Sequence, residues 1–363
     1  MSQETMRAFV LTGHGDLDKL EYRTDYPKPT PGPLDVLVKV GACGLNNTDV
    51  NTRTGWYSKG NTAETTGASL EGAEDDDASW GGSPLRFPRI QGIDAVGVVE
   101  AVGPDADQTL LGKRVLIEPC MRDWDDPLNF RKTGFFGSEC DGAFAEYTIV
   151  DHRYAEPIES DLSDAELATF PCSYLTAENM LNRAGVNAND RVLITGASGG
   201  VGSALIQLIK RRGAQVAAIA SASKLDQVKA IGADVVISRD ETDLAGALKT
   251  HFGEETVSVV ADLVGGSAFP GLLELIEWGG RYVTAGAIAG PIVDLDLRTL
   301  YLHDLTAYGA TVVPPGTFAE LVGYIERGEI KPLLAASYPL SDLKEAQAAF
   351  ITKQHVGNLA VIP

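Results

Sequence analysis

A glycine-rich stretch in the middle of the chain is the strongest chemical signal in the sequence. A predicted strand at 191–195 leads into Gly196, Gly199, Gly200 and Gly202, and a helix with an apolar face follows. Glycines at this spacing let the backbone approach a pyrophosphate, whose charge is attracted by the positive end of the following helix. Because the glycines stand between a strand and an amphipathic helix, the pattern predicts a dinucleotide-binding turn rather than a plain tight turn.

The residues after the next predicted strand indicate which dinucleotide is bound. Sites that prefer NAD place a carboxylate about twenty residues beyond the turn, where it binds the ribose hydroxyls. This chain has Ser221, Ser223 and Lys224 there, and its first carboxylate is Asp226. Hydroxyls and a lysine suit a 2′-phosphate, so the sequence predicts NADPH (NADP) as the cofactor. The alternative is that Ser223 only caps a helix and Lys224 is a solvated side chain.

Signals for other kinds of catalysis are missing from the sequence. There is no Gly-x-Ser-x-Gly elbow, and Ser198 belongs to the glycine-rich turn. The 4 cysteines are widely spaced with no Cys-x-x-Cys pair, and the 5 histidines show no ligand spacing. The sequence therefore predicts no activated nucleophile, no disulfide framework and no zinc ribbon.

The elements that must position the turn alternate along the second half of the chain. After a helix start capped by Ser163, the predicted strands lie at 191–195, 215–220, 235–237, 257–263 and 281–285, with helices at 201–212 and 224–231. This order favours an α/β fold with a doubly wound parallel sheet. The first hundred residues instead read as short strands at 7–11, 35–40 and 95–102, and we expect no helix of convincing length there.

Two inserts interrupt the β-rich part. The first, residues 58–86, has no lysine or arginine between Gly60 and Leu85, and it includes the acidic residues Glu71, Glu74, Asp75, Asp76 and Asp77. We interpret it as a solvated surface loop, with a lid over a substrate cleft or a partner-binding surface as alternatives. The second insert, residues 119–141, is expected to form an ordered lobe because it contains Trp124, Phe130, Phe135 and Phe136.

Composition narrows the range of partners. The 363 residues include 30 Lys and Arg against 50 Asp and Glu, a net charge of −20, and 44% are hydrophobic. Phosphate backbones and anionic lipids repel such a chain, so we expect neither nucleic acid nor a membrane as partner. The first residues lack the apolar core of a signal peptide, and no apolar run approaches ~20 residues. We expect a cytoplasmic protein that acts on a small molecule.

Further motifs occur in order along nearly the whole chain. They are MRA at 6–8, GLNNTD at 44–49, GWY at 55–57, FPRIQGID at 87–94, GAFAEY at 142–147, LTA at 175–177, DLVGG at 262–266 and GN at 357–358. Together with the glycine-rich turn they resemble the medium-chain dehydrogenase/reductase superfamily, most closely its zinc-independent quinone oxidoreductase branch.

The resemblance implies a two-domain architecture with the active site in the cleft between the domains. A GroES-like β-rich catalytic domain is expected at 1–161, a Rossmann NADP-binding domain with a doubly wound parallel sheet at 162–300, and a return to the catalytic domain at 301–363. The resemblance also implies a set of cofactor-binding residues, which are Ser198, Gly199, Gly200, Val201, Ser221, Ser223, Lys224, Arg239, Val264, Gly286, Ala287 and Asn358. A homodimer or homotetramer is also implied, paired through an edge strand near 281–290.

The resemblance also provides a test for zinc. The positions that hold catalytic zinc in related alcohol dehydrogenases are occupied here by Asn46, Ile93, Asp94 and Cys172. An amide and an isoleucine are not zinc ligands, so two of the firm ligands are missing. The lobe that holds structural zinc in those enzymes keeps only Cys120 and Cys140 of four cysteines. We therefore expect no metal at either place.

The predicted reaction is hydride transfer from NADPH to a quinone or an α,β-unsaturated carbonyl. Asn46 is the first candidate to stabilise the developing negative oxygen, and Tyr57 is the second, as a donor or proton source. Thr176 is expected to orient the nicotinamide, and Asp49 to be a structural anchor. The alternatives are an alcohol dehydrogenase with a rebuilt zinc site and a non-catalytic NADPH-binding sensor or scaffold.

Overall fold

The structure, a computed structural model, describes residues 4–65, 78–81 and 84–363. The strands are β1 (Thr5–Leu11), β2 (Leu20–Pro27), β3 (Asp35–Gly44), β4 (Asp94–Val102), β5 (Arg114–Ile117), β6 (Cys120–Met121), β7 (Gly134–Phe135), β8 (Tyr147–Asp151), β9 (Ala155–Pro157), β10 (Arg191–Ile194), β11 (Gln215–Ala220), β12 (Val235–Ser238), β13 (Val257–Asp262), β14 (Ile276–Thr284), β15 (Thr306–Gly309), β16 (Leu334–Pro339) and β17 (Asn358–Ile362). The α-helices are α1 (Asn47–Thr54), α2 (Asp164–Leu167), α3 (Pro171–Arg183), α4 (Gly200–Arg211), α5 (Leu225–Ile231), α6 (Leu244–Phe252), α7 (Phe269–Glu274), α8 (Leu297–Leu302), α9 (Thr317–Glu326) and α10 (Leu343–Ile351).

A six-stranded parallel sheet forms the α/β part, with strand order β12-β11-β10-β13-β14-β15. Val192 of the central strand β10 is paired with Val216 on one side and with Val259 on the other. The chain order reverses between β10 and β13, and ligands bind doubly wound sheets at the carboxyl ends of the strands beside this switch point. The predicted α/β fold with a doubly wound parallel sheet is confirmed.

Local sequence explains why these elements form where they do. Every residue of β13 is buried, as expected for a strand covered on both faces. The apolar face of α4 packs into the core through Leu205, Ile206, Leu208 and Ile209. Ser163 caps α2 as predicted, because its hydroxyl accepts a hydrogen bond from the Glu166 backbone N–H at 3.3 Å.

Both ends of the chain contribute to a second, mostly antiparallel sheet with the order β16-β17-β3-β4-β5-β9, in which β8 also pairs with β3. β17 joins β3 through the pairing of Val361 with Cys43. The domain boundaries predicted from the sequence assign residues 301–363 to the catalytic domain. The strand β15, Thr306–Gly309, belongs instead to the parallel sheet. We therefore propose that the parallel-sheet domain extends to Gly309.

The expectation of no helix in the first hundred residues is wrong, because α1 occupies Asn47–Thr54. Its sequence, NTDVNTRT, has no apolar stripe and so gives no helical periodicity. The helix begins where the Asp49 carboxylate accepts the Asn46 backbone N–H at 2.8 Å. Arg53 is fully buried and donates to the Gly15 carbonyl at 2.6 Å. Tertiary hydrogen bonds therefore stabilise a helix that the local pattern does not reveal.

The second insert forms an ordered lobe, as predicted. Its strands β6 and β7 pair with each other, and Phe135 and Phe136 are buried. In the part of the chain that the structure describes, no helix combines the length and the apolar character needed to cross a bilayer.

Candidate active site

The glycine-rich turn links β10 to α4 and forms one wall of a cleft. Gly196 has a φ of 61°, and a Cβ at Gly202 would lie 2.3 Å from the Gly196 carbonyl oxygen. A Cβ at Gly200 would lie 2.3 Å from Oδ1 of Asn358. Only glycine fits these positions, and the first N–H groups of a helix have no partner within it. The turn therefore fits the pyrophosphate of a dinucleotide.

A cavity of about 840 Å³ lies against this turn, within the size range of ligand pockets. The predicted site residues that line it are Asn46, Tyr57, Thr176, Gly199, Gly200, Val201, Gly286, Ala287 and Asn358. They come from the start of α1, the loop after it, α3, the glycine-rich turn, the loop after β14 and the start of β17. The fold thus brings the three candidate catalytic residues and the phosphate turn around one cavity.

The remaining predicted cofactor residues are not among those that line this cavity, and they follow the carboxyl ends of the parallel strands β10, β11, β12 and β13. They are Ser198, Ser221, Ser223, Lys224, Arg239 and Val264. Nζ of Lys224 lies 3.5 Å from the Ser198 hydroxyl, and Arg239 directly follows β12 with a side chain that is 70% exposed. Lys224 itself is buried, so the alternative in which it is a solvated side chain is wrong.

The Asn46 amide has a fixed orientation on the cavity wall. Its Nδ2 atom donates to Oδ2 of Asp94 at 2.8 Å, and its Oδ1 atom accepts from the Ser173 hydroxyl at 3.4 Å. The backbone N–H of Asn46 is held separately by Asp49, which agrees with the predicted anchoring role of that carboxylate. Because an amide nitrogen carries two hydrogens, Asn46 retains a second N–H for a ligand in the cavity.

Asp94 is buried and accepts hydrogen bonds on both of its oxygens. Oδ2 accepts from Asn46, and Oδ1 accepts from the backbone N–H of Cys172 at 2.6 Å. Burial raises the pKa of Asp94 to about 7, against the opposing effect of these two hydrogen bonds. Burial likewise raises the pKa of Asp49 to about 8, with a further increase from the nearby Asp94. The two carboxyls therefore titrate near neutral pH as a coupled pair.

Tyr57 and Thr176 occupy other parts of the same cavity wall. The Tyr57 ring lies edge-on to Trp56, with their centroids 5.6 Å apart. Burial raises the pKa of Tyr57 well above its usual range, although hydrogen bonds with Thr48 and Asn51 oppose this effect. Tyr57 is therefore a protonated hydroxyl at neutral pH. Thr176 lies in α3, one turn after Cys172, and its side chain hydrogen-bonds with that thiol.

Known protein families match both parts of the chain. The family model described as the alcohol dehydrogenase GroES-like domain matches residues 32–160, and the one described as zinc-binding dehydrogenase matches residues 200–327. A solved structure from Sinorhizobium meliloti 1021, described as an alcohol dehydrogenase, is 44% identical with a TM-score of 0.90, covering 99% of this chain and 97% of that chain. The chain belongs to the medium-chain dehydrogenase/reductase superfamily.

Other relatives within the superfamily are more distant. The quinone oxidoreductase of Homo sapiens is 27% identical over 360 residues, which is 96% of this chain and 95% of the human protein. The 2-octenoyl-CoA carboxylase reductase CinF, solved in complex with NADP and 2-octenoyl-CoA, is 26% identical with a TM-score of 0.85, over 100% of this chain and 88% of that chain. The predicted resemblance, with its quinone oxidoreductase-like branch, is confirmed. The protein is an NAD(P)-dependent oxidoreductase of the superfamily.

The four positions that the superfamily's alcohol dehydrogenases use for catalytic zinc do not fit a metal ion here. Asn46 turns its nitrogen, not its oxygen, toward Asp94, whose oxygens both accept N–H groups. Ile93 has no donor atom. Burial raises the pKa of the Cys172 thiol well above its usual value, with a further increase from the carboxylates of Asp94 and Asp49. Zinc requires deprotonated ligands, so this arrangement disfavours its binding.

The lobe that holds structural zinc in those relatives also fits a metal poorly. Burial raises the pKa of Cys120 and that of Cys140 to about 12. Within residues 4–65, 78–81 and 84–363, no group of three or more His, Cys, Asp and Glu side chains has the arrangement of a metal site.

Part of the first insert also contributes to the site. Lys59, Thr65, Ser79 and Trp80 line the cavity, and the Thr65 backbone N–H donates to the Ile288 carbonyl of the parallel-sheet domain at 2.9 Å. These described parts are therefore not a plain solvated loop. The acidic residues from Glu71 to Asp77, on which the partner-surface alternative depends, lie outside the described residues.

A basic segment near the carboxyl terminus was not predicted from the sequence. Lys353 donates from Nζ to Oδ1 of Asn47, a cavity-lining residue, at 2.7 Å. Lys224 donates to the carbonyl oxygens of Lys353 and His355 at 2.5 and 2.8 Å. The only signal in the sequence is the occurrence of two basic side chains shortly before the Gly357–Asn358 motif.

Proposed function

We propose that this superfamily member is an NADPH-dependent reductase that transfers hydride to a quinone or an α,β-unsaturated carbonyl without zinc. The observation that carries the proposal is the orientation of Asn46. Its amide nitrogen faces the Asp94 carboxylate at 2.8 Å, on the wall of the cavity that the glycine-rich turn borders. This arrangement supplies an N–H donor at the position where a zinc enzyme supplies a metal ligand.

The chemistry follows from where charge develops on the substrate. The bound dinucleotide supplies the hydride. Addition of hydride to a quinone or a conjugated carbonyl leaves negative charge on the substrate oxygen, which the second N–H of Asn46 can stabilise. The protonated Tyr57 hydroxyl is the second donor and a candidate proton source. Thr176 lines the same cavity from α3, and its proposed role is to orient the nicotinamide.

The proposed preference for NADPH over NADH rests on charge beside the phosphate turn. Ser221 and Ser223 follow β11, where NAD-binding sites carry a carboxylate. Lys224 and the exposed Arg239 lie at the same end of the sheet. Burial lowers the pKa of Lys224, and the nearby positive charge of Arg239 lowers it further. Concentrated positive charge of this kind favours a 2′-phosphate.

A zinc-type alcohol dehydrogenase with a rebuilt metal site is the second candidate. It is favoured by the description of the Sinorhizobium meliloti relative at 44% identity. The orientation of Asn46 and the buried Cys172 thiol argue against it. Metal analysis of protein purified without chelator separates the two candidates, because only the second requires bound zinc.

We further propose a homodimer or homotetramer that pairs through the edge of the parallel sheet. The expectation of an edge strand near 281–290 is wrong, because β14 pairs with both β13 and β15, and the edge strand is β15. Large apolar side chains are exposed on β14, on α8 and between these two elements, namely Trp278, Ile292, Leu297, Tyr301 and Leu302. An uncovered edge strand tends to pair with another chain. Light scattering should give a mass two or four times the chain mass of 38.5 kDa, and a mass of one chain contradicts the proposal.

The direct test of the proposed reaction is NADPH oxidation by metal-free protein in the presence of quinones and enones. Turnover on these substrates, with none on simple aldehydes, ketones or alcohols, is the expected result.

A further inference from the structure

Trp80 brings an aromatic ring from the first insert to the cavity lining. The ring is half-buried and stacks on Phe135 of β7, with centroids 4.0 Å apart and planes inclined by 15°. Phe135 is buried in the lobe of the second insert, where it pairs with Cys120 of β6. Because Phe135 covers one face of the indole, a ligand in the cavity can contact only the other face or the edges of the ring.

Glu139 ties the segment that carries Trp80 to the same lobe. Its Oε1 atom accepts the Gly81 backbone N–H at 2.7 Å, and its Oε2 atom accepts the Phe135 backbone N–H at 2.7 Å. The Glu139 backbone N–H in turn donates to the Phe135 carbonyl at 3.1 Å. Hydrogen bonds to an ionised acceptor are among the strong ones in proteins. One carboxylate therefore holds both the residue after Trp80 and the residue on which Trp80 stacks.

The cavity lining that includes Trp80 suits an uncharged, planar ligand. Trp56 and Tyr57 line the same cavity, and Lys59 is the only lining side chain with a formal charge among the residues that the structure describes. Aromatic side chains bind flat rings by stacking, and the negative face of an indole favours a ring that is poor in electrons. A quinone has such a ring, whereas an open-chain conjugated carbonyl has none. The lining therefore favours a quinone over an open-chain substrate.

We propose that Trp80 determines specificity for a planar ring substrate by stacking on it, and that Glu139 holds Trp80 in position. This inference rests on the proposed reductase function and distinguishes between its two substrate classes. Trp80 lies in the first insert, between the motifs at 55–57 and 87–94, and so outside the motifs that carry the family resemblance. Glu139 is not one of the described residues that line the cavity, so it acts through Trp80 as a positioning residue.

Binding measurements without turnover test the proposal. Equilibrium dialysis in the presence of NADP+, which cannot donate a hydride, gives Kd for duroquinone and for the open-chain enone mesityl oxide. We expect Trp80→Leu and Glu139→Ala each to weaken duroquinone binding about three- to tenfold, the usual effect of losing an aromatic contact, and to leave mesityl oxide binding unchanged. Trp80→Phe should restore most of the affinity. Glu326→Ala is the matched control, because Glu326 also accepts a backbone N–H, that of Glu159 at 2.9 Å, outside the cavity lining.

The double variant Trp80→Leu/Glu139→Ala tests the positioning role. It should bind duroquinone no more weakly than Trp80→Leu alone, because both changes remove the same contact, and losses that add overturn the role of Glu139.

The two ligands and the cofactor decide the role of Trp80. An unchanged Kd for duroquinone in folded Trp80→Leu protein, equal losses for duroquinone and mesityl oxide, or a loss of NADPH binding overturns it. A wild type that binds duroquinone but does not reduce it with NADPH instead contradicts the proposed function and leaves the role of Trp80 in binding supported. The two failures are therefore distinguishable.

Discussion

The Asn46 amide nitrogen donates to the Asp94 carboxylate across 2.8 Å, joining the start of α1 to the first residue of β4. The Cys172 backbone N–H holds the other Asp94 oxygen at 2.6 Å. Asp94 is thus fixed by α3 and in turn fixes Asn46. This relationship leaves one amide hydrogen of Asn46 for a ligand in the cavity and occupies the atoms that a metal ion would need.

Removal of the amide should affect the chemical step. We expect Asn46→Ala to lower kcat about 100-fold, the usual loss for one donor to a developing oxyanion, with little change in Kd for NADPH. Asp94→Asn should lower kcat less, because the amide remains but loses the partner that orients it. Asn129→Ala, in the second insert, is a matched control. Unchanged turnover in Asn46→Ala would remove Asn46 from the catalytic residues.

The buried carboxyls predict how stability depends on pH. Burial raises the pKa of Asp94 to about 7 and that of Asp49 to about 8, so the folded protein keeps protons that the unfolded chain loses near pH 4. Their contribution to the free energy of unfolding is therefore largest below about pH 4 and is lost as the pH rises through about 8.

Denaturant titrations at a series of pH values measure this effect. We expect the wild type to lose stability relative to Asp94→Asn between pH 5 and pH 8, since the variant has no carboxyl at this position to lose a proton. A difference between the two proteins that is independent of pH contradicts the raised pKa of Asp94.

Arg239 should distinguish NADPH from NADH. Its side chain is 70% exposed after β12, so its removal leaves the core intact. We expect Arg239→Ala to weaken NADPH binding about tenfold, as for the loss of one charge-assisted contact, and to leave NADH binding unchanged. Arg298→Ala, which alters an exposed arginine on α8 paired with Asp296, is the control. Equal losses for both cofactors would remove the support that Arg239 gives to a 2′-phosphate site.

Trp80 tests whether the first insert contributes to substrate binding. Its ring lines the cavity and stacks on Phe135, with centroids 4.0 Å apart and planes inclined by 15°. We expect Trp80→Ala to raise KM for a quinone up to about tenfold, because an aromatic wall of the pocket is lost. Trp278→Ala removes an exposed tryptophan outside the cavity lining and should leave KM unchanged. If both variants behave like the wild type, the insert does not shape the substrate site.

The sequence was sufficient for the parts of the site that depend on local pattern. The β10 strand, the glycine-rich turn and α4 were predictable because an apolar strand, fixed glycine spacing and an amphipathic helix all lie within about twenty residues. The resemblance then supplied Asn46 and Thr176, which lie far from the turn in sequence but line the same cavity.

The rest of the site depends on contacts between distant segments. α1 was missed because its stability comes from buried polar contacts such as that of Arg53 with Gly15. The proximity of Lys353 to Lys224 follows from the Gly199–Gly357 bridge, which no periodicity indicates. The first insert is marked in the sequence only by its composition. Composition alone could not distinguish an insert that contributes Trp80 to the cavity from a plain surface loop.

The most direct test of the central claim is NADPH absorbance on mixing chelator-treated protein, shown by metal analysis to be zinc-free, with quinones, enones, aldehydes and ketones. We predict turnover of quinones or enones that is unaffected by added zinc and reduced about 100-fold in Asn46→Ala. Turnover that requires zinc, or that proceeds only with aldehydes and ketones, contradicts a zinc-independent reductase.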